Sequence, residues 1–213
     1  MIHVSKRLTL ATVAFMSQIL FLNPALADSN AWKIDSAHSS ASFSVKHMMV
    51  SNVRGGFQKV KGNAVYDGKS IDSIKVDAVI DSASINTGEE KRDEHLRGKD
   101  FFDVNKYPKI TFKSKKVTKD KKGTFKLSGD LTMHGVTKPV VLNVEGPSQV
   151  IKGPHGKTRV GASATTTINR KDFGITYGGL MDNGGAVVSD DVKITLDIEL
   201  VKDEEAKTKK KDS

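Results

Sequence analysis

The stretch "LTMHGVTKP", residues 131–139, decides how this chain folds. A histidine, a glycine and a proline sit together here, as they do in catalytic loops and also in tight bends. Strand parity separates the two. Upstream, in "TFKLSGDLTM", Phe125, Leu127, Leu131 and Met133 alternate onto one face, with Gly129 in the same series. If His134-Gly135 is a two-residue hairpin turn, Met133 faces Val136 and Leu131 faces Lys138. Gly129, Leu127 and Phe125 then face Val140, Leu142 and Val144. Directly opposed residues point to the same side of a sheet, so both arms put their apolar residues on one face. A four-residue loop keeps this agreement and a three-residue loop breaks it. Glycine takes positive φ readily, and histidine does so more often than most residues, as such turns require. The stretch is first of all a bend. Lys138 stands out, because it lands on the apolar face. It either snorkels out over the rim or stands as a cation at the mouth of an apolar cavity.

The same period of two recurs outward from the hairpin. In "IKVDAVI" (74–80), Ile74, Val76, Ala78 and Ile80 share a face. In "VKITLDIEL" (192–200), Val192, Ile194, Leu196, Ile198 and Leu200 alternate with charged residues and threonine. "RVGASATTTI" (159–168) and "KITF" (109–112) follow suit. This is the signature of antiparallel strands with one dry and one wet face. With the less regular "SFSVKH" and "FQKVKGNAVY", about eight strands are expected, closing into a barrel or folding into a sandwich. An eight-stranded barrel fills its own interior or holds one small ligand, and the residue pattern leaves both open. One helix is predicted in "NTGEEKRDEHLRGKDFF" (86–102), with Thr87 and Glu90 as a capping box and Gly98 ending it in the left-handed region. Leu96 is its only large apolar residue, so the helix lies on the surface, anchored by Phe101 and Phe102. A second short helix or a loop is expected in "VKHMMVSN" (45–52).

The N-terminus reads as a secretory signal peptide, residues 1–27. Lys6 and Arg7 precede an apolar run from Leu8 to Leu22, then Pro24 and the small-x-small site Ala25-Leu26-Ala27. That run is short for a membrane span of about 20 residues, and no comparable run follows. One domain over 28–202 and a charged, disordered tail over 203–213 are expected. The chain has no cysteine, which excludes disulfides, thiolate metal sites, a thiol nucleophile and an acylated N-terminal cysteine. The formal charge of +9 permits an anionic partner, but aromatics are not interleaved with the basic runs as single-strand binding requires. His38, His47, His95, His134 and His155 form no HxxxH or HExxH pair, and no GxSxG elbow occurs. Asp93, Glu94, Asp100 and Asp103 read as solvated helix positions and caps. "YGGLMDNGG" (177–185) is a mobile lid or a plain connection.

Four stretches carry a resemblance: "WKIDSAHSSASFSVKHMMVSNVRGGF" (32–57), "DEHLRGKDFFDVNKYPKITF" (93–112), "GDLTMHGVTKPV" (129–140) and "INRKDFGI" (168–175). In this order, over about residues 30–202, the chain resembles the YceI family. The resemblance implies an all-β, eight-stranded antiparallel, lipocalin-like barrel with one short helix near one end. It implies a secreted, periplasmic protein that binds, carries or sequesters a polyisoprenoid without catalysis and without a cofactor. The expected ligand is an isoprenoid quinone, a polyprenyl phosphate or another long-chain lipid. No nucleic acid, no metal and no transmembrane segment after signal cleavage are expected, and a homodimer is admitted. The wall or its plug is assigned to Phe43, Val76, Ile80, Phe101, Phe102, Phe112, Phe125, Leu127, Leu131, Met133, Leu142, Ile194 and Leu196. Arg54 and Lys138 are the head-group candidates, and Met48, Met49 and Met133 are expected to adapt to methyl branches. The alternatives are an enzyme acting on a lipid and a basic surface-binding or adhesive module.

Overall fold

The computed structural model describes residues 30–121, 123–182 and 184–203. The expected signal peptide and the tail from residue 204 lie outside the described residues. Asp203, at the predicted start of the tail, is tied in: its N–H donates to the Ala31 carbonyl and its carboxylate meets the Lys33 ammonium at 3.1 Å.

The strands are β1 (Ala31–Ile34), β2 (Ser40–His47), β3 (Ser51–Phe57), β4 (Val60–Val65), β5 (Lys75–Asp81) and β6 (Ile85–Asn86). After the helix α1 (Glu90–Arg97) come β7 (Lys109–Lys119), β8 (Thr124–Met133), β9 (Val136–Glu145), β10 (Ile151–Lys152), β11 (Thr158–Asn169) and β12 (Val188–Lys202). Their pairing closes a ring. β12 pairs with β11 on one side; on the other it pairs with β2 along its first part and β1 at its end. β3 and β4 run back along β2 and β1. The ring continues through β5, β7, β8 and β9 to β11. β1 with β2, and β3 with β4, are thus two broken staves. The result is an eight-stranded closed antiparallel barrel with one short helix, the fold predicted above.

The deciding hairpin has the predicted register. Met133 pairs with Val136, Leu131 with Lys138, Leu127 with Leu142 and Phe125 with Val144. His134 and Gly135 have φ of 51° and 77°, as a two-residue turn of the primed type requires. A Cβ on Gly135 would also lie 2.5 Å from the Tyr107 ring, so space and φ both demand glycine there. Gly129 is needed for space alone. A Cβ there would fall 2.6 Å from the Phe112 ring, which lies across it from β7.

Two local expectations are corrected. "VKHMMVSN" is neither helix nor open loop. It is the β2–β3 hairpin, turning at Met48 and Met49, with Val45 paired to Val53. The cap of α1 is Glu89, whose carboxylate accepts from the Lys91 and Arg92 amides, rather than Thr87. Thr87 instead directs its N–H and its hydroxyl to Asp93, so Asp93 is 2% exposed and not solvated. The C-cap Gly98 has φ of −73°, outside the left-handed region. The chain turns there by hydrogen bonds from Gly98 to His95 and from Phe102 to Leu96.

Candidate functional site

The alternation that forms the strands also hollows the barrel. Inward side chains enclose a cavity of about 280 Å³, near the lower end of the range of ligand pockets, ~300–1,000 Å³. It reaches from Phe101, Ile175 and Val188 at the helix-bearing end to Tyr66 and Pro147 at the other. All thirteen apolar residues singled out from the sequence line it: Phe43, Val76, Ile80, Phe101, Phe102, Phe112, Phe125, Leu127, Leu131, Met133, Leu142, Ile194 and Leu196. Several also pack tightly. Phe125 and Leu127 are 3% and 5% exposed and form one cluster with Leu142, Val144 and Ala164. The wall is therefore partly core, and the open space lies between such clusters.

The helix-bearing end is closed by aromatic rings. Phe57 meets Phe43 at 6.2 Å and Phe102 edge-on at 5.5 Å. Phe101 stacks against Tyr177 at 4.8 Å, and His95 meets both. Edge-on and tilted contacts of this kind are favourable for ring quadrupoles. Leu96 reaches the cavity from α1, so the single large apolar residue of the helix is its inward contact.

Among the described residues lining the cavity, Arg170 alone carries a formal charge. It is 5% exposed and all its donors are spent. Nε donates to the Ser189 carbonyl, one terminal nitrogen to the Ile175 and Tyr177 carbonyls, and the other to the Val188 carbonyl and the Asp190 carboxylate. Arg170 therefore fastens loop 174–187 to the barrel end. It was not among the residues expected to face the cavity. The available signal is parity, since Arg170 lies two residues after the inward Ile168. His134 is likewise structural. Its Nδ1 lies 3.1 Å from the Phe173 carbonyl; a carbonyl only accepts, so that nitrogen carries the proton.

The polar candidates lie elsewhere. Lys138 is exposed and does not line the cavity, although its partner Leu131 does. An exposed lysine opposite an inward leucine fits a long stem that keeps its ammonium in water. Arg54 is on the outer face, where Thr167, Lys193, Ser44 and Arg54 pair in one row across β11, β12, β2 and β3. Arg54, Lys46 and Lys193 border a polar hollow there. Of the three methionines expected to adapt to a ligand, Met133 lines the cavity, whereas Met48 and Met49 are exposed at a hairpin tip.

A second cluster lies on the barrel surface. Asp35, His38 and Glu199 bring their ligand atoms within 4.8 Å of one another. Arg159 holds the place a cation would take, bonding both Asp35 and Glu199. Arg159 and His38 together hold the Asp35 carboxyl well below the usual carboxylate range. The cluster is satisfied as an ion-pair network.

The comparisons with known proteins agree with this geometry. The YceI-like domain model matches residues 32–200. A UPF0312 protein of Staphylococcus aureus (strain N315) is 39% identical over 166 residues, 78% of this chain and 94% of that protein. A UPF0312 protein of Vibrio cholerae (strain ATCC 39541) is 39% identical over 156 residues, covering 71% and 81%. Among solved structures, the Campylobacter jejuni YCEI protein superposes with a TM-score of 0.62 at 36% identity, covering 75% of this chain and 90% of that one. Burkholderia cenocepacia BcnA gives 0.66 at 25% identity, covering 78% and 98%. A domain from Saccharophagus degradans described as polyisoprenoid-binding gives 0.60 at 18% identity, covering 83% and 100%, a likeness of fold alone. With the family model matching most of the chain and these relatives spanned over most of their length, the protein belongs to the YceI family.

Proposed function

We propose that this protein is a non-enzymatic carrier that holds one long-chain amphipathic lipid, of isoprenoid type, in its barrel. It acts in the periplasm after export. The observation that carries this reading is the cavity: hollow, elongated and walled by apolar side chains. Burying one CH₂ is worth ~0.8 kcal/mol, so a five-carbon isoprene unit gives roughly 3–4 kcal/mol gross. Several units exceed an association cost on the order of 4–15 kcal/mol. Such a ligand binds with few hydrogen bonds, which suits a wall that offers few. The methyl branches need width, and Met133 can adapt to them. The polyisoprenoid-binding description of the Saccharophagus domain points the same way.

The non-enzymatic reading is supported by what faces the cavity. Among the described lining residues there is no histidine and no carboxylate, and the guanidinium of Arg170 is fully engaged. The hydroxyls of Ser42, Tyr66, Thr111 and Thr166 therefore have no base beside them in the lining. Uptake of fluorescent isoprenoids of graded length by the purified protein tests the reading. The wild-type protein binds, and affinity rises with each added unit until the cavity is full. Ala78→Phe, which projects a ring from β5 into the cavity, abolishes binding and leaves the unfolding temperature unchanged or higher. Equal uptake by Ala78→Phe and wild type would place the lipid elsewhere.

A further inference from the structure

The tip of the β2–β3 hairpin is built against its own conformational preference. Met48 and Met49 have φ of 50° and 61°, and the Val50 N–H closes the turn on the His47 carbonyl at 3.1 Å. A two-residue turn with positive φ at both central positions prefers Asn-Gly. Methionine is strained there, and packing does not repay it: Met48, Met49 and Val50 are 45%, 58% and 81% exposed. The neighbouring loop adds Leu180, 77% exposed. The two segments are joined, since the Met48 N–H donates to the Val187 carbonyl and the Val187 N–H to the Gly179 carbonyl. Four exposed apolar side chains thus crown one end of the barrel. Val45, three residues before Met48, and Val188, which pairs with His47 beside the tip, line the cavity.

Beneath the crown lies the outer hollow of about 730 Å³, bordered by Lys46, Arg54 and Lys193 as well as Asp191. Among the described residues these three cations are exposed and make no ion pair. No acidic residue occurs between Asp35 and Asp67, the span that contains the whole hairpin. An apolar tip above unpaired cations complements an anionic lipid interface, with the side chains entering the acyl boundary and the cations at phosphate depth.

We propose that the β2–β3 tip, with Leu180, is a docking surface for an anionic phospholipid bilayer, set at the ring-closed, helix-bearing end of the cavity. The docking does not rest on the carrier reading. Flotation of the full chain with vesicles tests it. The wild-type protein floats with phosphatidylglycerol-containing vesicles, less with pure phosphatidylcholine, and progressively less as salt is raised. Met48→Asn with Met49→Gly, the pair that the turn prefers, weakens flotation roughly tenfold or more, with the unfolding temperature unchanged or raised. The same variant still takes up isoprenoid from detergent micelles. Arg54→Gln with Lys193→Gln removes the preference for phosphatidylglycerol. Wild-type protein that stays unbound with both vesicle types, or a Met48→Asn/Met49→Gly variant that floats like wild type, overturns the proposal. Intact flotation without any uptake from micelles supports the docking surface and counts against the carrier reading alone.

Discussion

Arg170 shows how one residue can hold a barrel end in place. Its five N–H groups meet the carbonyls of Ile175, Tyr177, Val188 and Ser189 and the Asp190 carboxylate. Arg170→Met leaves those acceptors without a donor, at an expected cost of about 3–5 kcal/mol, measured by urea unfolding. Near-neutral stability in that variant would mean the loop is held by other contacts. Asp35 has a different signature. Arg159 and His38 lower its pKa in the folded state, so its contribution to stability is present above the ordinary carboxylate value of ~3.9. That contribution fades as pH falls below this value toward the folded pKa. The stability difference between wild type and Asp35→Asn should therefore be largest near neutrality and shrink below about pH 4; a difference independent of pH would refute the linkage. Neither residue stood out in the sequence. Arg170 opens a short 3₁₀ turn, Arg170–Phe173, in which only it and Phe173 are buried, and Asp35, just after β1, meets Arg159 and Glu199 only once β11 and β12 are brought beside it.

The β8–β9 hairpin was readable from sequence because two independent constraints coincide in it. A turn dipeptide sets the register, and two alternating arms share one face. Gly135→Val tests the turn: it places a branched side chain at φ of 77° and against Tyr107. A loss of about 2–4 kcal/mol is expected from strain and overpacking together, read from thermal unfolding. The β2–β3 hairpin was not readable, although it is built on the same kind of turn. Met-Met carries no turn signal, and Val45, the next lining residue after Phe43, is followed by a basic and apolar run rather than a clean alternation. The helix was legible as an element but not in its details. Its capping carboxylate is Glu89, and Asp93 is drawn inward by Thr87, contacts that helix-end patterns alone do not specify.

At the scale of the whole molecule, periodicity identified the lining and could not say whether it enclosed space. Eleven of the thirteen assigned residues lie on strands and face the cavity because inward placement follows from parity within each strand; Phe101 and Phe102 reach it from the turn after the helix. Hollowness depends instead on how eight staves pack around the ring, on short residues such as Ala78, Ala162 and Ala164 in the wall, and on Phe112 lying over Gly129. Those are relations between strands distant in sequence, and no local pattern contains them. The central claim is that this interior is occupied by a lipid in the cell. Native mass spectrometry of the protein isolated from its own cells, followed by organic extraction, tests it most directly. A single bound species of several hundred daltons, released into solvent and identified as an isoprenoid lipid, is the predicted result. Protein at its bare polypeptide mass that also fails to take up isoprenoids in vitro would contradict it.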